Sequence, residues 1–196
     1  MSDTAKKPLG RPRSVQSHRA ILQATVELLA EVGFERISID AIATRAGVGK
    51  TTIYRRYKAK AELVADAIEN LREEVVIPDT GNLWGDIDAL IDNAAKITLS
   101  PLGRQTVAMI VSSASSNPEF AQVYWTKYLQ PRRQAFAVVL ERAKARNEIQ
   151  ANLDPALVFD LMSGIMFYAL VFQPTTEPWE AYIRRALHPL FREPSR

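Results

Sequence analysis

The chain of 196 residues contains no cysteine, which excludes disulfides, thiolate zinc sites and cysteine nucleophiles. Histidine is nearly absent, and the two present, His18 and His188, stand far apart and form no ligand cluster. No carboxylate pair, Ser/His/Asp set or metal-ligand spacing points to catalysis, so the chain reads as a non-enzyme with no metal and no cofactor. The stretch from Met1 to Lys7 is polar with no apolar run behind it, which argues against a secretory signal. Hydrophobic residues make up 47% and charged residues 24%. Those proportions exclude a wholly disordered or collagen-like chain, and the length suffices for one or two domains with a real core. A net charge of +3 hides an uneven distribution. Residues 1–60 carry 12 Lys+Arg against 5 Asp+Glu, a net of +7, and residues 61–196 carry 13 against 17, a net of −4.

Residues 1–13 hold two lysines, two arginines, two prolines and a glycine without apolar periodicity, and read as a flexible basic arm. From Ser14 the pattern turns helical, with Ile21, Ala24, Thr25, Leu28 and Leu29 on one face. Gly33 can close that helix in the left-handed conformation. Ser38 then offers an N-cap hydroxyl and Asp40 a carboxylate near the positive end of a second helix. This short helix stops at Ala46-Gly47, a third runs from about Lys50 to Tyr57, and a fourth from about Lys60 to Val76. The stretch from Pro78 to Gly85 reads as a connection. Beyond it, a capping residue followed by proline recurs at Ser100-Pro101, Asn117-Pro118 and Asp154-Pro155, and less cleanly at Gln130-Pro131 and Glu177-Pro178. Between Pro131 and Arg146, Phe136, Val139, Leu140 and Ala143 share one face, and Asn147 can supply the closing left-handed residue. With no strand or hairpin pattern, the expectation is an all-α protein of nine or ten helices. It divides into an arm (1–13), a helix-turn-helix domain (14–60, motif 38–57) and a C-terminal helical domain (61–196).

Two short helices joined by Ala46-Gly47-Val48 match a helix-turn-helix. With Ile53 facing the core and an advance of about 100° per residue, Tyr57 also falls on the buried side. Thr51, Arg55 and Lys58 fall opposite, flanked by Thr52 and Tyr54. That face presents hydroxyls, a phenol and cations, groups suited to base edges and phosphates in a major groove. The stretch from Ile37 to Leu63, with Ala46-Gly47-Val48-Gly49-Lys50-Thr51-Thr52-Ile53-Tyr54 at its centre, closely resembles the DNA-binding domain of tetracycline-repressor-like (TetR family) regulators. The resemblance covers about residues 14–65. It implies a dimeric transcription factor, usually a repressor, whose C-terminal helical domain binds a small molecule and dimerises. Carried over by position, Tyr54 and Lys60 would touch phosphates, and the outer face of Lys50 to Arg55 would read bases. Thr44, Arg45 and Lys58 complete the expected DNA-contacting set. Gly49 departs from the family's frequent serine and weakens the cap of the recognition helix. Ala59 and Ala61 replace residues that are often polar.

Gly47-Val48-Gly49-Lys50-Thr51-Thr52 also looks like part of a phosphate-binding loop. That motif needs a glycine where Thr44 stands, and a buried β-strand before it where the sequence reads as helix. In the arm, Gly10-Arg11-Pro12-Arg13 resembles the hooks with which extended Arg-Pro segments enter narrow A·T-rich minor grooves. Arg11 and Arg13 would then contact DNA specifically; the alternative is a tail adding only nonspecific attraction.

The segment from Pro155 to Phe172 is apolar nearly all round, interrupted mainly by Asp160 and Ser163. Such a helix must be buried on several sides. It is short for a membrane span and carries an acid, so burial between its own domain and a second subunit is the expectation. The resemblance implies dimerisation through the last two long helices, here Pro155 to Phe172 and Trp179 to Phe191, with Phe159, Leu170, Tyr182, Leu187 and Leu190 as interface candidates. A mostly apolar and aromatic ligand pocket is expected from Trp84, Met109, Tyr124 and Trp125, together with Tyr128, Met162, Met166 and Phe167. Asp160 would either orient a polar ligand or lie at an exposed edge, and the edge is favoured. The partners expected are double-stranded operator DNA of twofold symmetry, a second copy of the chain and an unidentified apolar or aromatic small molecule, without a membrane, in the bacterial cytoplasm. The activity expected is repression relieved by that molecule; an activator, or a regulator without a ligand, is the alternative.

Overall fold

In the computed structural model, residues 11–71, 77–172 and 176–191 are described, and among them there is helix and turn but no strand. The chain forms two compact units, Met1–Asn70 with Met109–Tyr124, and Leu71–Ala108 with Trp125–Arg196. The boundary expected after residue 60 thus falls after Asn70, and a stretch expected in the second domain returns to the first.

The first unit begins with α1 (Arg11–Arg36). It starts three residues before the expected Ser14, because a proline in a first turn gives up an amide that would have no helical partner anyway. Arg11 and Arg13 therefore lie on a helix rather than an extended hook, and the rest of the expected arm, residues 1–10, lies outside the described residues. Gly33 breaks α1 at φ 76 and ψ 172, as its place in the sequence suggested, and one further turn carries the chain to Arg36. Ile21, Ala24, Leu28 and Leu29 are buried, and the buried Thr25 hydroxyl donates to the Ile21 carbonyl at 2.7 Å. Next come α2 (Ile39–Ala46), α3 (Lys50–Tyr54) and α4 (Lys60–Glu69). Six of the ten residues of α4 are buried, which ties it to this unit. It ends at Glu69 rather than Val76, with Asn70 as its C-cap; residues 72–76 lie outside the described residues. The returning stretch brings α7 (Pro118–Tyr124) against α4. Asn117 caps it through the Phe120 amide at 2.8 Å. Phe120 packs on Phe34 with ring centroids 5.3 Å apart, and the buried Tyr124 donates its hydroxyl to Glu69 at 3.1 Å.

The second unit holds α5 (Leu83–Thr98), α8 (Gln130–Ala145), α9 (Pro155–Phe172), α10 (Trp179–Leu187) and a closing 3-10 turn (His188–Phe191); α6 (Pro101–Ser116) is divided between the units. Leu83, Ile87, Phe136, Leu140, Ile183 and Leu187 are among its core residues. Two carboxylates fasten the start of α5. The Leu83 amide donates to Glu148 at 2.6 Å, and the Thr80 amide and hydroxyl donate to the fully buried Asp86 at 2.6 and 2.8 Å. Arg146 joins both acids, at 2.8 Å to Glu148 and 3.7 Å to Asp86. Ser100 caps α6 through Gly103 and Asp154 caps α9 through Ala156, so the three clean cap-proline pairs all open helices. Gln130-Pro131 also stands at the start of α8, with the proline in its first turn, but Leu129 takes the cap position and bonds through no side chain. A π turn (Trp125–Leu129) leads into α8 with helical backbone at Leu129, and its wider spacing accommodates a residue with no N–H to donate. Asn147 closes α8 at φ 58.

Candidate nucleic-acid interface

Local chemistry sets the ends of α2 and hence the start of α3. The Ser38 hydroxyl accepts from the Ala41 amide at 3.1 Å, a cap worth about 1 kcal/mol. Gly47 closes α2 at φ 64 and ψ 35, a left-handed conformation that side chains with a Cβ rarely adopt. Its amide and that of Val48 bond to the Thr44 and Ala43 carbonyls at 3.2 and 3.0 Å, reversing the chain within three residues. Gly49 offers no side-chain cap to α3. Regular helix stops at Tyr54, yet the Tyr57 amide still bonds to the Ile53 carbonyl at 3.0 Å, so the helical path reaches the expected end.

Ile53 and Tyr57 anchor this segment inward at 0% and 5% exposure. Thr51, Tyr54, Arg55 and Lys58 are exposed and Thr52 half-buried, which brings together on one outer face five of the residues singled out from the sequence. Tyr54 stands 58% exposed, an aromatic ring left in water beside cations. Lys50 lies next to them, 2.5 Å from Asp40.

Three other expected contacts are engaged inside the unit. The Thr44 hydroxyl donates back to the Asp40 carbonyl at 2.9 Å. Arg45 forms a two-pronged pair with Glu31 at 2.8 and 2.9 Å and lies 3.5 Å from Glu27. Hydrogen bonds from Arg45 hold the Glu31 carboxyl below its ordinary range, and the same bonds raise the guanidinium. The Lys60 ammonium donates to the Phe34 carbonyl at 2.9 Å and sits 4.6 Å from the centre of the Phe34 ring, so it closes the end of α1. Both Arg45 and Lys60 thus fasten helix to helix. Sequence reading missed this because the partners lie 14 and 26 residues away.

The phosphate-loop alternative fails on context. The segment before Gly47 is the helix α2, where that motif requires a strand.

The residues expected around a ligand are divided between the two units. Met109 and Tyr124 belong to the first unit and the other six to the second. Tyr124 is core there, at 2% exposure. In the second unit Met162 is buried in the core and Trp84 and Met166 pack against it. Tyr128 is half-buried, while Trp125 and Phe167 are exposed. Asp160 lies at an edge as favoured, 45% exposed and 2.5 Å from Arg133. Of the expected dimer contacts, Leu187 and Leu170 are buried inside the single chain, while Phe159, Tyr182 and Leu190 are half-buried against its own core. Because α9 is apolar all round, composition could not tell its inner side from its outer one.

A family model described as "Bacterial regulatory proteins, tetR family" matches residues 21–67, and one described as "Tetracyclin repressor-like, C-terminal domain" matches residues 77–189. The chain is 34% identical over 176 residues to an uncharacterized HTH-type transcriptional regulator, YdeS of Bacillus subtilis (strain 168), covering 89% of this chain and 88% of that one. It is 27% identical over 162 residues to the DNA-binding transcriptional repressor TetR of Mycobacteroides abscessus, covering 77% and 80%. Among solved structures, the flavonoid-responsive regulator FrrA shares the fold at a TM-score of 0.69 and 21% identity, over 90% of this chain and 95% of that one.

Proposed function

The chain belongs to the TetR family of DNA-binding transcriptional regulators, and on that premise we propose a homodimeric repressor that holds a twofold-symmetric operator through α3. The observation that carries this reading is the outer face of α3, where Thr51, Tyr54 and Arg55 stand exposed behind the buried anchors Ile53 and Tyr57. Hydroxyls and a guanidinium at that spacing can bond to base edges, and Lys50, Tyr54 and Lys58 can meet phosphates. Two such faces, related by a dyad, fit half-sites about one DNA turn apart.

The dimer contact we assign to α9. Leu157, Leu161, Tyr168, Val171 and Phe172 are 40–65% exposed. Leu157, Leu161, Gly164, Tyr168 and Phe172 recur at helical spacing along one side. A continuous apolar side of this kind is seldom left in water, and Gly164 lets a facing helix approach closely. Length and composition alone would also let α9 cross a membrane, at a mean hydropathy of 1.8. Its Asp160–Arg133 pair and the core residues on its other side favour a protein partner, and operation in the cytoplasm.

Release follows from a small apolar or aromatic molecule held in the second unit near Trp84, Met162 and Met166. The Trp179 indole N–H, buried there with no acceptor, would satisfy a carbonyl or hydroxyl on that molecule. Such a ligand releases DNA only by binding better to the conformation whose recognition helices are wrongly spaced. Selection of bound duplexes from a random pool tests the reading: a twofold-symmetric site should emerge. Thr51→Ala and Arg55→Ala should each cost about 1–3 kcal/mol on it and relax preference at separate positions. A pool that stays random, or variants with unchanged preference, would refute it.

A further inference from the structure

Tyr57 is a polar residue in an apolar anchoring position. Its ring is 5% exposed, and its hydroxyl would be costly to bury without partners. Two partners meet it. Asp66 on α4 shares a hydrogen bond with it, and His18 Nε2 on α1 lies 2.9 Å from the same oxygen. An ionised carboxylate only accepts, so the phenol proton goes to Asp66. A phenol has one proton, and the bond to His18 therefore runs the other way, from Nε2–H to the Tyr57 oxygen. Burial, followed by the charge and hydrogen bond of Asp66, pushes the phenol pKa up and keeps that proton in place; Glu62 adds to the effect and Arg56 opposes it.

This hydroxyl joins three elements at the exit of the recognition helix. Tyr57 lies three residues beyond the end of α3, Asp66 sits one turn and more into α4, and His18 lies in the first part of α1. Ile53 and Tyr57 are the inward anchors of the face that carries Thr51, Tyr54 and Arg55. A pull on Tyr57 is therefore a rotation of that face.

The geometry points to His18 as a positioning residue for DNA reading: its Nε2–H, donated to Tyr57, helps set the angle at which α3 is presented. The inference rests on the DNA-reading role assigned to α3. It extends that role to a residue outside the helix-turn-helix, 39 positions from its partner.

The test uses the full chain, a duplex selected by the wild-type protein from a random pool, and a random-sequence duplex of equal length. His18→Ala should weaken the selected duplex about tenfold, the size of one hydrogen bond in a partly charged network, Tyr57→Phe at least as much because it also loses the bond to Asp66, and each should weaken the random duplex less than about twofold. The double variant should be no weaker than Tyr57→Phe alone, since that substitution already removes the bond from His18 together with the one to Asp66. His18→Gln, whose amide can donate from near the Nε2 position, should recover to within about threefold. Tyr57→Phe keeps the ring and hence the packing, so it reports the loss of the hydroxyl's two bonds even where His18→Ala disturbs α1, and the recovery in His18→Gln isolates the one from His18. Nitrogen-15 spectra should show a proton on His18 Nε2. Wild-type affinity in both single variants, equal weakening on both duplexes, or an unprotonated Nε2 would overturn the assignment. A wild-type protein that selects no duplex overturns the DNA-reading role and this inference with it; variants that match a wild type which does select one overturn only the role of His18.

Discussion

Helices α4 and α9 are both rich in apolar residues, yet they spend them differently. Of the ten residues of α4, six are buried among neighbours in the same unit. Of the 18 residues of α9, four are buried, although α9 is the more apolar of the two. The apolar side chains of α4 complete a core around α1 and α7. Those of α9 complete one core on its inner side through Val158, Met162 and Ala169 and leave a second apolar side without cover. Hydrophobicity alone therefore does not distinguish a helix that finishes a fold from one that also keeps an apolar side in water.

The strongest way to break that comparison is Leu161→Arg. Placing two like charges face to face across a dyad should weaken the dimer by more than about 3 kcal/mol, over a hundredfold. Sedimentation equilibrium would show the mass falling toward the 21.9 kDa of one chain, operator binding would be lost, and the melt of the monomer would persist. An unchanged mass would mean that the outer side of α9 is ordinary surface. Next in size, Leu63→Ala in α4 should cost about 3 kcal/mol in denaturant melts. The same truncation at the exposed Leu157, made in the monomeric background, should cost under about 0.5 kcal/mol. Similar losses at the two leucines would erase the distinction.

A smaller effect than that of Leu63→Ala sharpens the contrast between the units rather than the helices. Glu148→Gln should remove about 1–2 kcal/mol at neutral pH by weakening the bonds to Leu83 and Arg146 that hold the start of α5. The hydrogen bond from Arg146, and secondarily that from the Leu83 amide, hold the Glu148 carboxyl below its ordinary value of 4.5. Its contribution is therefore full above that value and is lost as pH falls through the lower folded pKa. Wild type and variant should converge in acid. A difference that stays constant from neutral pH down past that range would show that the carboxylate's charge is not what the bond uses.

What was legible in the sequence was what neighbours within a few residues decide. Ser38, Gly47, Asn147 and the cap-proline pairs at 100–101, 117–118 and 154–155 each answer to local backbone hydrogen bonding, and each does in the structure what its position implied. The outer face of α3 was legible for the same reason, since helical periodicity from Ile53 orients it. Pairings across the chain were not. Nothing near Arg45 or Lys60 announces that Glu31 and Phe34 will hold them, and nothing near His18 announces Tyr57.

By itself, then, the order of residues determined the helices, several of their ends, the family and the side of α3 that stays exposed, because a helix is closed by bonds between residues three to five apart. Tertiary structure alone decided that α4 and residues 109–124 belong with the DNA-reading unit. It also decided which side of α9 is core, and that Arg45 and Lys60 brace α1. Each of these depends on burial against distant segments, and a helix apolar on every side carries no local sign of which side its neighbours will cover.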